Sequence, residues 1–110
     1  MAAESRLEKK CWNWAKDKHG IRTIKNRDAG GLPDRMFLYK GMCLFVEFKA
    51  PGKQLSPLQA HTCKQLASEG FVVSTIQTYN DFVNLITIWV RYVKKITGSI
   101  LATSLPRGGD

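Results

Sequence analysis

A chain of 110 residues has room for one domain around one core and not for two. Its 44% apolar and 24% charged content is ordinary for a soluble globular protein, and three cysteines without C-x-x-C spacing exclude both a disulfide framework and a zinc cage. The net charge of +8, from 17 Lys and Arg against 9 Asp and Glu, points to a polyanionic partner or, at its blandest, to a soluble basic protein.

Residues 3–19 read as an amphipathic helix. Leu7, Cys11, Trp14 with Ala15, and Lys18 trace one stripe, and Gly20 stands where a C-terminal cap belongs. Glu4 and Glu8 are four apart and share a face near that stripe. The first residues, Met1 to Arg6, lack the apolar region of a signal peptide, so the expectation is an intracellular, cytoplasmic protein. Ile21 to Lys25 reads as a short strand carrying Arg22 and Lys25, and residues 26–31 as a loop rich in turn residues.

A hairpin follows, with strands at Arg35–Tyr39 and Met42–Lys49 and a turn near Lys40-Gly41. Pro51-Gly52 ends the pairing. Ser56-Pro57-Leu58-Gln59 is a helix start with Ser as N-cap, Pro in the first position and Gln completing a capping box. That helix should stop at Gly70, and Phe71–Ile76 reads as a buried strand, so the two form a crossover into a parallel pairing. Asn80 is placed to cap a last helix over about 81–97, ended by Gly98, which is apolar around most of its circumference. One small core covers only a stripe of such a helix, and the excess suggests a subunit interface. It is too short and too interrupted to span a bilayer. The whole chain is expected to be one domain, with a loose tail over 103–110, and all three cysteines, Cys11, Cys43 and Cys63, as small core residues in a reducing compartment.

The hairpin holds the informative residues. Glu47 and Lys49 are two apart and share a face, whereas Phe48 points the other way. A turn centred on residues 40 and 41 sets position 34 opposite position 47, which brings Asp34 beside Glu47. Facing carboxylates repel unless a cation lies between them, and an ionised Glu in an apolar strand is costly unless paired or metal-bound. A hard divalent ion such as Mg²⁺ removes that penalty. Lys49 could simply pair with Glu47; at a phosphate it could hold the attacking water, favour hydroxide or neutralise growing charge. Two acids and a lysine at one end of a hairpin suit metal-dependent phosphodiester hydrolysis.

Gly31-Leu32-Pro33-Asp34, then Phe45-Val46-Glu47-Phe48-Lys49-Ala50-Pro51-Gly52-Lys53, then Ser56-Pro57-Leu58-Gln59, resembles the VRR-NUC branch of the PD-(D/E)XK nucleases, in the small stand-alone form found in bacteriophages. The resemblance covers about residues 3–90. It implies an α/β, restriction-endonuclease-like fold, a mixed sheet of four to five strands flanked by helices. It implies Asp34 and Glu47 as metal ligands, the Phe48 carbonyl as a third and Lys49 as the catalytic lysine. The family's acid on the first helix matches Glu4, with Glu8 competing, and its glutamine matches Gln59, which the capping box alone also explains. The implied cofactor is Mg²⁺ or Mn²⁺ and the implied activity a homodimeric, structure-specific endonuclease similar to Holliday junction resolvases.

Arg22, Lys25, Arg27, Arg35, Lys53 and Lys64 cluster around this segment in sequence. Singly each reads as a solvated charge; together they form a phosphate track for DNA. His19 and His61 stand alone, and Trp12, Trp14 and Trp89 fit core or interface better than base stacking. The expectation is thus a Mg²⁺- or Mn²⁺-dependent endonuclease on branched DNA. The alternatives are a non-catalytic basic nucleic-acid binding module and a sequence-reading restriction-like enzyme, for which the chain is small.

Overall fold

A computed structural model describes residues 2–27 and 30–102. Helix α1 (Ala3–His19) leads into β1 (Arg22–Lys25), β2 (Arg35–Tyr39) and β3 (Met42–Phe48). Helix α2 (Pro57–Ser68), strand β4 (Val72–Ile76) and helix α3 (Tyr79–Ala102) complete the order. The four strands lie in the order β1-β2-β3-β4. The first three pair antiparallel, and β4 joins β3 in parallel through α2. The fold is α/β with a mixed four-stranded sheet, within the range expected from the sequence.

The β2–β3 turn is two residues long. Lys40 (φ 46°) and Gly41 (φ 82°) are both left-handed, a turn whose twist matches that of the paired strands. Gly41 enters this region without a Cβ penalty. The turn pairs Tyr39 with Met42 and Arg35 with Val46. Extending that register by one residue sets Asp34 beside Glu47.

The two faces of β3 meet different layers. Leu44, Val46 and Phe48 join Phe37, Ile76 and buried residues of α1 and α3 in the main core. Phe82 anchors it, with its ring centroid 5.3 Å from that of Phe37 and 5.9 Å from that of Phe48. The other face carries Phe45, whose ring meets Phe71 edge-on at 5.4 Å, and Glu47, which meets α2. The sheet therefore lies between the α1–α3 layer and α2.

Four expectations need correction. The strand at Phe71–Ile76 is not buried, because β4 forms the sheet edge; Val72 remains 38% and Phe71 42% exposed. Gly98 does not end the last helix, which continues to Ala102, since one internal glycine costs only about 1 kcal/mol against alanine. Asn80 is inside that helix, and it is the Thr78 hydroxyl that accepts the Asp81 amide, at 3.1 Å. Of the three free cysteines, Cys11 is buried and Cys43 and Cys63 only partly so. The expected tail, residues 103–110, and Asp28-Ala29 of the loop lie outside the described residues. Among the described residues no helix is long and apolar enough to cross a membrane.

Candidate active site

One end of the sheet collects the acids. Strand β3 delivers Glu47 in its last turn of pleat, and the 26–34 loop delivers Asp34. Asn26 fixes that loop at its base. Its amide donates to the Asp34 carbonyl and its side chain to the Pro33 carbonyl, both at 2.8 Å. Farther round the loop, Gly31 (φ 82°) lies so close to α2 that a Cβ there would meet the Leu58 side chain at 2.8 Å and the Leu58 carbonyl at 2.9 Å. Only glycine lets the loop lie against α2 at this spacing.

Asp34 and Glu47 are interlocked. The Asp34 amide donates to Glu47 Oε1 at 3.1 Å, and the Phe48 amide donates to Asp34 Oδ2 at 2.8 Å. Glu47 is only 3% exposed. Its Oε2 accepts from Gln59 Nε2 at 3.0 Å and lies 3.6 Å from Lys49 Nζ. Gln59 makes the capping bonds and also reaches Glu47. Its Oε1 accepts the Ser56 amide in the capping box at 2.9 Å while its Nε2 holds Glu47. The first turn of α2 is thus built onto the carboxylate.

Burial pushes the Glu47 carboxyl above its ordinary value, the Asp34 charge adds to the rise, and Lys49 opposes it. Burial also raises the Asp34 carboxyl, against the Phe48 amide and the charge of Lys25. Two desolvated acids that resist ionising together are the state that a bound cation relieves. Among the described residues the cation beside Asp34 Oδ1 is Lys25 Nζ, at 4.0 Å, too far for a hydrogen bond, so this oxygen keeps capacity to bind an ion. This donor set of hard oxygens fits Mg²⁺ or Mn²⁺.

Helix α1 supplies its two acids separately. Glu4 Oε1 accepts the Ala50 amide at 3.0 Å, just past the end of β3. Glu8 is held by two cations, Lys25 Nζ at 2.9 Å and Arg35 Nε at 2.5 Å, and its charge adds to the rise at Asp34. Among the described residues no three His, Cys, Asp or Glu side chains form a ready ligand cluster. The backbone amide and the two cations hold Glu4 and Glu8 apart from the Asp34–Glu47 pair.

The basic residues divide. Arg22, Arg27, Lys53 and Lys64 are exposed. Lys25, though exposed, and the more buried Arg35 both bind Glu8, and the Arg35 guanidinium lies 5.1 Å from the Trp12 ring centroid. The structure brings together Asp34, Glu47, Lys49 and Gln59, with Glu4, Lys25 and Arg35 around them. Asn26 went unnoticed in the sequence; its only signal was an Asn at the mouth of a loop. Nothing local marked Glu8 as the partner of Lys25 and Arg35, 17 and 27 residues away.

No protein-family model and no curated protein matches the chain. Solved structures do. A chain described as a VRR_NUC domain aligns with TM-score 0.71 at 23% identity, over 79% of this chain and 97% of its own. A VRR_NUC domain protein aligns with TM-score 0.63 at 20% identity, over 84% of this chain and 89% of its own. The chain has the fold of a VRR_NUC domain. In that fold the interlocked acids occupy the open end of the central hairpin, where α1 and α2 approach from opposite faces.

Proposed function

We propose that this protein is a divalent-metal-dependent DNA endonuclease that acts on branched DNA as a homodimer. One observation carries the reading: two buried carboxylates fastened side by side on one hairpin, with a lysine ammonium 3.6 Å from one of them. Asp34, Glu47 and the Phe48 carbonyl would hold Mg²⁺ or Mn²⁺, with Glu4 able to join by leaving the Ala50 amide. Such an ion, when bound, supplies Lewis acidity toward a phosphoryl oxygen and lowers the pKa of water. Lys49 places positive charge where a phosphate would build negative charge. Gln59 fixes the rotamer of Glu47 and so positions the carboxylate.

The formal charge of +8 favours a polyanion, and the exposed Arg22, Arg27, Lys53 and Lys64, with Lys25 at the edge of the site, supply its phosphate contacts. Arg35 serves from inside, by holding Glu8. A dimer suits the apolar face of α3 and β4, where Ile88 is 66% and Tyr92 50% exposed beside Val72. Two sites in a dimer could cut opposite strands of a junction. Free thiols suit a reducing compartment, so the cytoplasm is the proposed location.

The test compares a four-way junction, a flap, a duplex and a single strand, each with and without Mn²⁺ or Mg²⁺. The wild type should cut with metal, the branched substrates best. Asp34→Ala and Lys49→Ala should each lose roughly 10²–10⁴-fold in rate while remaining folded. Full metal-dependent cutting by both variants would overturn the assignment. DNA binding without strand breakage would favour a basic binding module, and a lone monomer at micromolar concentration would remove the junction reading.

A further inference from the structure

A second concavity lies on the far side of Arg35 from the acids. Trp12, Lys16, Gly20, Ile21, Arg22 and Thr23 enclose a cleft of about 370 Å³ between the end of α1 and β1. That size lies within the range of about 300–1,000 Å³ found for ligand pockets. Ile21 is buried and forms an apolar floor, Trp12 is half-exposed, and Lys16 and Arg22 are exposed. Among the described residues no acidic one lines it. Two carbonyls of the nearby helix end are engaged. The Gly20 amide donates to the Lys16 carbonyl at 2.9 Å and the Ile21 amide to the Ala15 carbonyl at 3.3 Å. The Thr23 hydroxyl is likewise engaged, donating to the Met36 carbonyl at 2.9 Å.

An indole in a cleft whose rim holds Lys16 and Arg22, over an apolar floor, matches one nucleotide of a single strand. The base has a π-face to stack and its phosphates have cations to meet. A path of contacts joins this cleft to the catalytic end. Trp12 carries the Arg35 guanidinium, Arg35 and Lys25 both hold Glu8, and Lys25 lies 4.0 Å from Asp34. Strand β1 gives the scale. Arg22 and Lys25 are three residues apart, about 10 Å along a strand.

We propose that the Trp12–Lys16–Arg22 cleft is a nucleotide subsite that takes one unstacked base of a single-stranded segment, about 10 Å along β1 from the Lys25 that borders the Asp34–Glu47 pair. It rests on the nuclease reading for the identity of that strand as substrate. It gives a reason for a preference for branched DNA, since junctions and flaps offer unstacked nucleotides beside a duplex and intact duplex does not.

The experiment measures binding of a short fluorescent single strand and of the matching duplex, at several salt concentrations and without divalent ion. Trp12→Leu, which keeps an apolar side chain against Arg35, should weaken single-strand binding about 5- to 150-fold and change duplex binding by less than about twofold. Trp12→Phe should restore most of the loss, and Arg22→Gln should lower the salt slope by about one. Equal loss on both ligands, or no loss, overturns the subsite. Should Trp12→Leu fail to fold, wild-type protein is titrated with strands carrying an abasic nucleotide at each position in turn. One position should weaken binding to a similar degree, and a flat profile overturns the proposal. Cleavage by the wild type in Mn²⁺ is scored separately. Cutting together with Trp12-independent binding sinks the subsite alone; Trp12-dependent binding without cutting sinks the nuclease reading alone.

Discussion

The two faces of strand β3 are equally dry and chemically opposite. Toward α1 and α3, Leu44, Val46 and Phe48 are 0–1% exposed and meet only apolar neighbours. Toward α2, Glu47 is 3% exposed and meets another carboxylate, a lysine and an amide. The first face earns its burial through the hydrophobic effect, which is proportional to area and indifferent to direction. The second must satisfy each polar atom with a placed partner, because an unpaired buried charge is far costlier than an exposed one. Stability is thus built on one side of a seven-residue strand and reactivity on the other, and substitutions on the two sides should fail in different ways.

The largest separation is expected at adjacent residues. Phe48→Ala opens a cavity beneath Phe82 and should lose about 3–5 kcal/mol in denaturant unfolding. In a domain whose total stability is about 5–15 kcal/mol, that is a large share. Lys49→Ala, one residue on, should remove cutting yet lose less in unfolding than Phe48→Ala, because the buried Glu47 it leaves can take up a proton while still meeting the Asp34 amide and Gln59. A Phe48→Ala protein as stable as the wild type, or a Lys49→Ala protein that unfolds as readily as Phe48→Ala, would erase the distinction between the faces.

A smaller effect tests the double duty of Gln59. Gln59→Glu keeps an acceptor for the Ser56 amide, so the capping box survives. It removes the donor to Glu47 Oε2 and sets a second negative charge against it. Thermal stability should fall modestly while cutting drops about 10–100-fold, the usual scale for a group that orients a metal ligand. Gln59→Ala should lose both the cap, about 1 kcal/mol, and the orientation. If Gln59→Glu cuts like the wild type, the cap is the whole of its role.

How far the sequence disclosed these features follows from how local each one is. The hairpin register was legible because a two-residue turn at Lys40-Gly41 fixes every later pair, and the interlocking of Asp34 with Glu47 follows from it. The α2 capping box was legible because its two bonds span four residues. The Glu8 clamp was not, since it joins α1 to β1 and β2 through the packing angle of a helix on a sheet, which no local pattern states. The same packing decides Trp12, which is partly buried against the core as its residue type suggested but also borders a cleft beside β1. The exposure of β4 was hidden for a related reason. Val-Val-Ser-Thr-Ile has the composition of an inner strand, and only the strand order shows that nothing pairs beyond it.

The smallest effect concerns pH, and its sign separates the two faces most cleanly. Both carboxyls of the pair are raised, chiefly by burial, so the fold prefers them protonated. A group whose native pKa lies above its unfolded value, near 4 for a carboxyl, stabilises the fold fully below that value and loses the contribution as pH rises through the native pKa. Without metal, the pair therefore weighs against the fold at neutral pH and stops doing so in mild acid. Glu47→Gln is neutral throughout, but its amide cannot accept from every donor that now meets Glu47, so its absolute stability mixes two effects. The pH slope of the difference does not. The melting temperature of Glu47→Gln minus that of the wild type should fall as pH is lowered from neutrality toward 4. Mn²⁺ at neutral pH should shrink the same difference by stabilising the wild type alone. A difference that grows on acidification would mean that the native pair is held ionised by its lysines, and that the buried face of β3 needs no cation beyond those the chain already carries.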